Sequence, residues 1–153
     1  MQTSDRAMLV ALGTFAIALS THALAETRPK PMQVALDKLT TEALYCTAYF
    51  GFAQEAVRRR PDAKAANARK LVTRLGQLAD QSLNLAITTG RRAELTPEQV
   101  DARQAAVFGD VRKITKNSIA NLPVLVAQYD TTCKALIVKP EARLQALFRK
   151  EFD

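Results

Sequence analysis

Residues 36–57 read LDKLTTEALYCTAYFGFAQEAV, and their spacing decides the fold class. Leu36, Leu39, Ala43, Cys46, Phe50, Ala53 and Val57 recur at steps of three and four. That period keeps one apolar stripe on one side of a helix, facing a core or a neighbouring helix. A second stripe, Tyr45, Tyr49, Phe52 and Ala56, lies about 110° around the same helix. Between residues 43 and 57 the helix is therefore apolar over about half its circumference. Two readings follow. The helix packs between two neighbours with its tyrosine hydroxyls at the rim, or the aromatic stripe is a contact face for a partner or a second copy.

The helix should stop at or before Arg60, because Pro61 disfavours helical geometry in the residue before it. Asp62 is the expected cap of a second helix. That helix carries Ala68, Leu71, Leu75, Leu78, Ser82 and Leu85, flanked by Ala65, Val72, Ala79 and Ala86. Gly90 is the expected left-handed residue at its end. The plainest local signal is LTPEQV, residues 95–100. There Thr96 caps a third helix, Pro97 opens it and Gln99 closes a capping box.

Helix three places Val100, Gln104, Val107, Val111, Ile114 and Ser118 on one face. Asn121 is then read as capping a fourth helix with Pro123 in its first turn; one long helix kinked at Pro123 is the alternative. Helix four carries Leu122, Val126, Tyr129, Cys133 and Leu136. Pro140 ends it, and Leu144, Leu147 and Phe148 make a short amphipathic tail. The expectation is an all-α antiparallel four-helix bundle, up-down-up-down, with a short C-terminal helix.

The amino terminus predicts export. Arg6 precedes an apolar run from Ala7 to Leu19, and Ala23-Leu24-Ala25 supplies the small-x-small pattern of a signal-peptidase site. The run is too short for the roughly 20 residues that cross a bilayer. A signal peptide over 1–25, an extended segment over 26–33 and one helical domain over 34–153 are expected. The location is then periplasmic or secreted, with no transmembrane helix in the mature chain. Cleavage after Ala25 removes Arg6, Asp5 and His22, which leaves 21 Lys+Arg against 14 Asp+Glu and no histidine.

Cys46 and Cys133 lie on the core stripes of helices one and four, near mid-height of antiparallel neighbours. In an exported chain they are expected to form an intramolecular disulfide; free buried thiols or an intermolecular bridge are the alternatives. The residue types exclude several chemistries. Haem attachment needs C-x-x-C-H, whereas Cys133 is followed by Lys134, Ala135, Leu136 and Ile137. A structural zinc site lacks ligands, and Ser-His or Cys-His catalysis lacks its base. Ser82 and Ser118 fall on core stripes. Glu94, Glu98 and Asp101 gather at a helix start, where acids complement the helix dipole. No catalytic, cofactor or metal residue is assigned, and an enzyme is not expected.

The net charge of +7 favours acidic partners or anionic envelope surfaces over nucleic acid, once the chain is exported. Its cations come in groups along the chain, Arg58-Arg59-Arg60, Arg91-Arg92 and Arg112-Lys113 with Lys116, most of which a solvated surface explains. Tyr45, Tyr49, Phe52, Arg58, Arg59 and Arg60 form the candidate partner or ligand face, since tyrosine with arginine is a frequent interface composition. The functional expectation is a non-enzymatic binding or accessory protein for an acidic envelope component or partner protein. Its alternative is a carrier of a small apolar or aromatic ligand, held beside Tyr45, Tyr49 and Phe108; a homodimer is compatible with either.

Overall fold

Pro31 opens the first helix, where its missing N–H costs nothing, and the Gln33 side chain accepts the Lys30 N–H at 3.1 Å. The computed structural model describes residues 30–151. The expected signal peptide, its cleavage after Ala25 and His22 lie outside the described residues. Five α-helices follow one another: α1 Pro31–Arg58, α2 Ala66–Arg92, α3 Pro97–Ile114, α4 Leu122–Val138 and α5 Pro140–Lys150. A short 3-10 turn, Ile119–Asn121, precedes α4. The fold is all-helical, with no strand among the described residues. No helix among them is long and apolar enough to cross a membrane. Because α1 starts at Pro31, residues 31–33 form its first turn and are not extended.

All seven residues of the Leu36–Val57 stripe are buried, Leu39, Cys46 and Phe50 almost completely. They are buried because α1, about 42 Å long at 1.5 Å per residue, is the axis on which the other four helices pack. Side-chain contacts fix the directions. Thr40 meets Thr89 and Gln54 meets the Val72 carbonyl, so α2 runs antiparallel to α1. Asp37 meets Arg103 and Tyr45 meets Asp110, so α3 runs parallel to it. Cys46 meets Cys133 and Tyr49 meets Asp130, which makes α4 antiparallel. α5 is antiparallel as well, pairing Glu42 with Arg143 and Lys38 with Glu151. The tail after Pro140 thus docks on α1, with Leu147 buried in the common core.

Several local expectations are corrected. Asp62 does not cap α2: Arg60 holds its carboxylate through Nε and Nη2 at 2.9 Å each, and the helix starts at Ala66. Gly90 is helical and buried, and it does not end α2. The left-handed residue is Glu94, with φ of 63°. The Leu95 N–H returns to the Gly90 carbonyl and the Glu94 N–H to that of Arg91, the paired bonds of a Schellman cap. Gly90 is needed for proximity instead: a Cβ there would come within 2.9 Å of Val100 Cγ2 and 3.5 Å of Thr40 Cγ2.

The Thr96–Gln99 capping box is present in both directions. α3 and α4 are separate helices, since α3 ends at Ile114 and Lys116 and Asn117 turn left-handed. Asn121 sits at the start of α4, but its side chain donates to the Thr115 carbonyl at 2.9 Å instead of capping the helix. On α4, Leu125 is fully buried and Val126 is 42% exposed, so the buried row runs through Leu125, Cys133 and Leu136. Leu71 of α2 is also exposed, on a helix that packs chiefly on α1.

Candidate functional site

Burial of the two cysteines explains the first half of the 36–57 stretch. Cys46 and Cys133 are joined, with Cα atoms 5.3 Å apart and both side chains buried. The bond ties the middle of α1 to the middle of α4.

The aromatic stripe is largely consumed by the same two neighbours. Tyr45 stacks on Tyr129 of α4, ring centroids 5.4 Å apart and planes 12° from parallel, and donates its hydroxyl to Asp110 of α3 at 3.2 Å. Tyr49, only 4% exposed, donates to Asp130 at 2.8 Å. Lys134 binds the other oxygen of that carboxylate at 2.7 Å. Phe52 is half-buried against the core. Burial, followed by the carboxylate partner, raises the pKa of Tyr45 and Tyr49. Burial also raises that of Tyr129, beside Tyr45 and Asp110. The Lys134 hydrogen bond, with a smaller share from Tyr49, holds the Asp130 carboxyl below its usual range. Tyr45 and Tyr49 are neutral hydrogen-bond donors that orient α3 and α4 on α1, and the Tyr129 hydroxyl accepts from Gln128 at 3.0 Å.

Of the candidate face, the arginines remain outward. Arg58, Arg59 and Arg60 are exposed at the end of α1, Arg59 pairing with Glu55 at 2.7 Å and Arg60 with Asp62. Phe108, expected beside the tyrosines around a ligand, lines instead a depression of about 490 Å³ on α3. Asp101, Gln104, Ala105 and Arg112 complete that depression, and neither tyrosine borders it.

The antiparallel α1–α2 hairpin brings more cations to the same end than the sequence reading gathered. Between Glu55 and Ala79 the chain carries Arg58, Arg59, Arg60, Lys64, Arg69, Lys70 and Arg74 against two acids, Glu55 and Asp62. This is +5 of the chain's +7. Arg69, Lys70 and Arg74 are exposed and, with Ala66, Thr73 and Gln77, line a concave surface of about 400 Å³. They occupy the first turns of α2, where no acid offsets the partial positive charge of the helix start and Ala65 supplies no side-chain cap. Folding stability favours the opposite arrangement. Because α3 runs parallel to α1, Arg112, Lys113 and Lys116 lie towards this end too. Asp37, Glu94, Glu98 and Glu151 lie at the other end, where cations including Lys38, Arg91, Arg92 and Arg103 stand among them.

The charge sum over 55–79 was the sequence signal for this surface, and it stands out only once the turn at Pro61 folds α2 back beside α1. Among the described residues no group of three or more His, Cys, Asp or Glu is placed to hold a metal ion. No protein-family model, curated protein or solved structure matches the chain.

Proposed function

We propose that this chain is a small exported, disulfide-stapled binding or accessory protein that takes an acidic component or partner of the cell envelope on its basic α1–α2 end. Its four longer helices form an up-down-up-down bundle, a reading supported by the contact directions along α1. The observation that carries the function is the gathering of +5 at one end of the molecule, where Arg69 and Lys70 stand close to a helix start that holds no acid, a placement that opposes stability. Such a surface speeds encounter with an anionic partner and loses its hold as salt screens it. The protein works without catalysis: its buried tyrosines and threonines are engaged in packing and hydrogen bonds, and the basic end presents donors to anions. Export is tested by the intact mass of the chain from the envelope fraction of its host, which should equal residues 26–153 less the two hydrogens of the disulfide. A full-length reduced mass would overturn it.

Binding is tested with poly-glutamate as the probe, on two double variants of equal charge change. Arg69→Glu with Arg74→Glu alters the basic end, and Arg91→Glu with Arg92→Glu alters the other end of the same helix. The first pair should weaken binding at least about tenfold more than the second, with a shallower salt dependence. Equal losses from both pairs would show that net charge alone attracts the polymer, and the localised site would be wrong.

A further inference from the structure

We propose that the groove between α4 and α5 is a binding site for a free long-chain fatty acid, its acyl chain along the groove and its carboxylate on Lys139. α4 carries only two charged residues in 17, Asp130 and Lys134. Its inner row is spent on the core and the disulfide. Its outer row, Val124, Ala127, Thr131, Ala135 and Val138, also runs at steps of three and four, and every member is exposed, Val138 at 73%. A helix apolar all round is ordinarily covered all round. Here α5 runs on from Pro140 in the direction of α4, along α1, and does not fold back over that outer row.

The result is a groove of about 690 Å³, within the range of roughly 300–1,000 Å³ usual for small-molecule sites. Thr131, Ala135 and Val138 line it from α4, and Ala142 and Ala146 from α5. These side chains are short and mostly apolar, so a chain of methylenes can lie close against both helices.

Charge selects the head group. Lys134, Lys139 and Arg143 border the groove, and no acid among the described residues lines it. Lys134 is engaged with Asp130 and Arg143 with Glu42 at 2.8 Å. Lys139, at the α4–α5 junction, makes no ion pair among the described residues, and its ammonium is the group left to receive a carboxylate. A second copy of the chain fits less well, since it would bring its own three cations against these.

The test titrates the disulfide-intact protein with straight-chain carboxylates of increasing length, below their micelle concentrations, by calorimetry. Binding should be one to one, should tighten about two- to fourfold per added methylene, and should exceed that of the alcohol of equal length. Ala135→Asp, at an exposed position in the trough, should abolish it. Lys139→Glu should remove the preference for carboxylate over alcohol while alcohol binding persists. Val124→Asp, on the same outer row but outside the groove, should leave binding unchanged and shows that a charge on α4 is tolerated. Non-saturable uptake, or equal binding by wild type and Ala135→Asp, would overturn the assignment. So would a dimer by sedimentation that Val138→Asp dissociates, because a second copy would then be the occupant.

Discussion

Breaking the Cys46–Cys133 bond should cost this protein a large share of its stability, and the size can be worked from where the cysteines lie. The bond closes a loop spanning 87 positions. In the chain-entropy account, freeing a loop of that length returns about 4.6 kcal/mol of disorder to the unfolded chain. A domain of roughly 120 residues has a net stability of about 6–18 kcal/mol, so the loss is between a quarter and three quarters of the whole. Urea unfolding followed by circular dichroism, with and without reductant, reads it directly. For a slope of about 2 kcal/mol/M the midpoint should fall by roughly 2 M, and the melting temperature by roughly 10–20 °C. The slope should rise on reduction, because the freed chain expands and exposes more surface. A double Cys46→Ala, Cys133→Ala variant should lose at least as much, since two buried sulfur atoms leave with the bond. A loss below about 1 kcal/mol, or an unchanged slope with an unchanged midpoint, would refute the reasoning. It would mean that the other contacts along α1 already hold α4 in the unfolded ensemble, or that the bond strains what it joins.

The glycines should respond in opposite directions. Gly90→Ala should destabilise by about 1–3 kcal/mol, because its Cβ would meet Val100 at 2.9 Å in a packed site, whereas Gly109→Ala, with nothing within 4 Å, should stabilise by up to about 1 kcal/mol; thermal melts of the two variants decide it. Alkaline pH should unfold the protein through its tyrosines. Tyr45, Tyr49 and Tyr129 all have raised folded values, so the stability they lend is complete below the unfolded value near 10 and is lost as pH climbs from there through the folded values. Denaturation midpoints measured across that window should fall with pH, and less steeply for Tyr49→Phe; a fall of equal steepness in the variant would show that Tyr49 does not contribute.

Where one helix's pattern suffices, the sequence was legible. The Leu36–Val57 stripe is buried at all seven positions because α1 is surrounded, so periodicity and environment coincide. The Thr96–Gln99 box is readable because both partners lie within one turn. Errors fall where the outcome depends on a neighbour. Gly90 has the residue type of a helix terminator, and only the approach of Val100 and Thr40 shows what a missing Cβ serves there. Leu71 fits the α2 stripe, yet it stays exposed, because α2 packs chiefly on α1 and only lightly on α3 and α4. Asp62 has the chemistry of a cap, but Arg60 two residues earlier takes its carboxylate first.

The same dependence on neighbours separates the two surfaces from the tyrosines. Aromatic rings concentrated on α1 look like a partner's landing place when the helix is read alone. Two flanking helices convert them into packing, because each hydroxyl finds a carboxylate on α3 or α4 and each ring a wall. What remains outside is defined by what no neighbour neutralises. At the α1–α2 turn that is positive charge, of which Arg58, Lys64, Arg69, Lys70 and Arg74 make no ion pair among the described residues. On α4 it is apolar surface, left uncovered because α5 runs on along α1 instead of folding back over α4. A core explains a residue when folding itself supplies the partner. At these two places folding supplies none, so an anion at one and an apolar chain at the other are the complements that physical chemistry asks for.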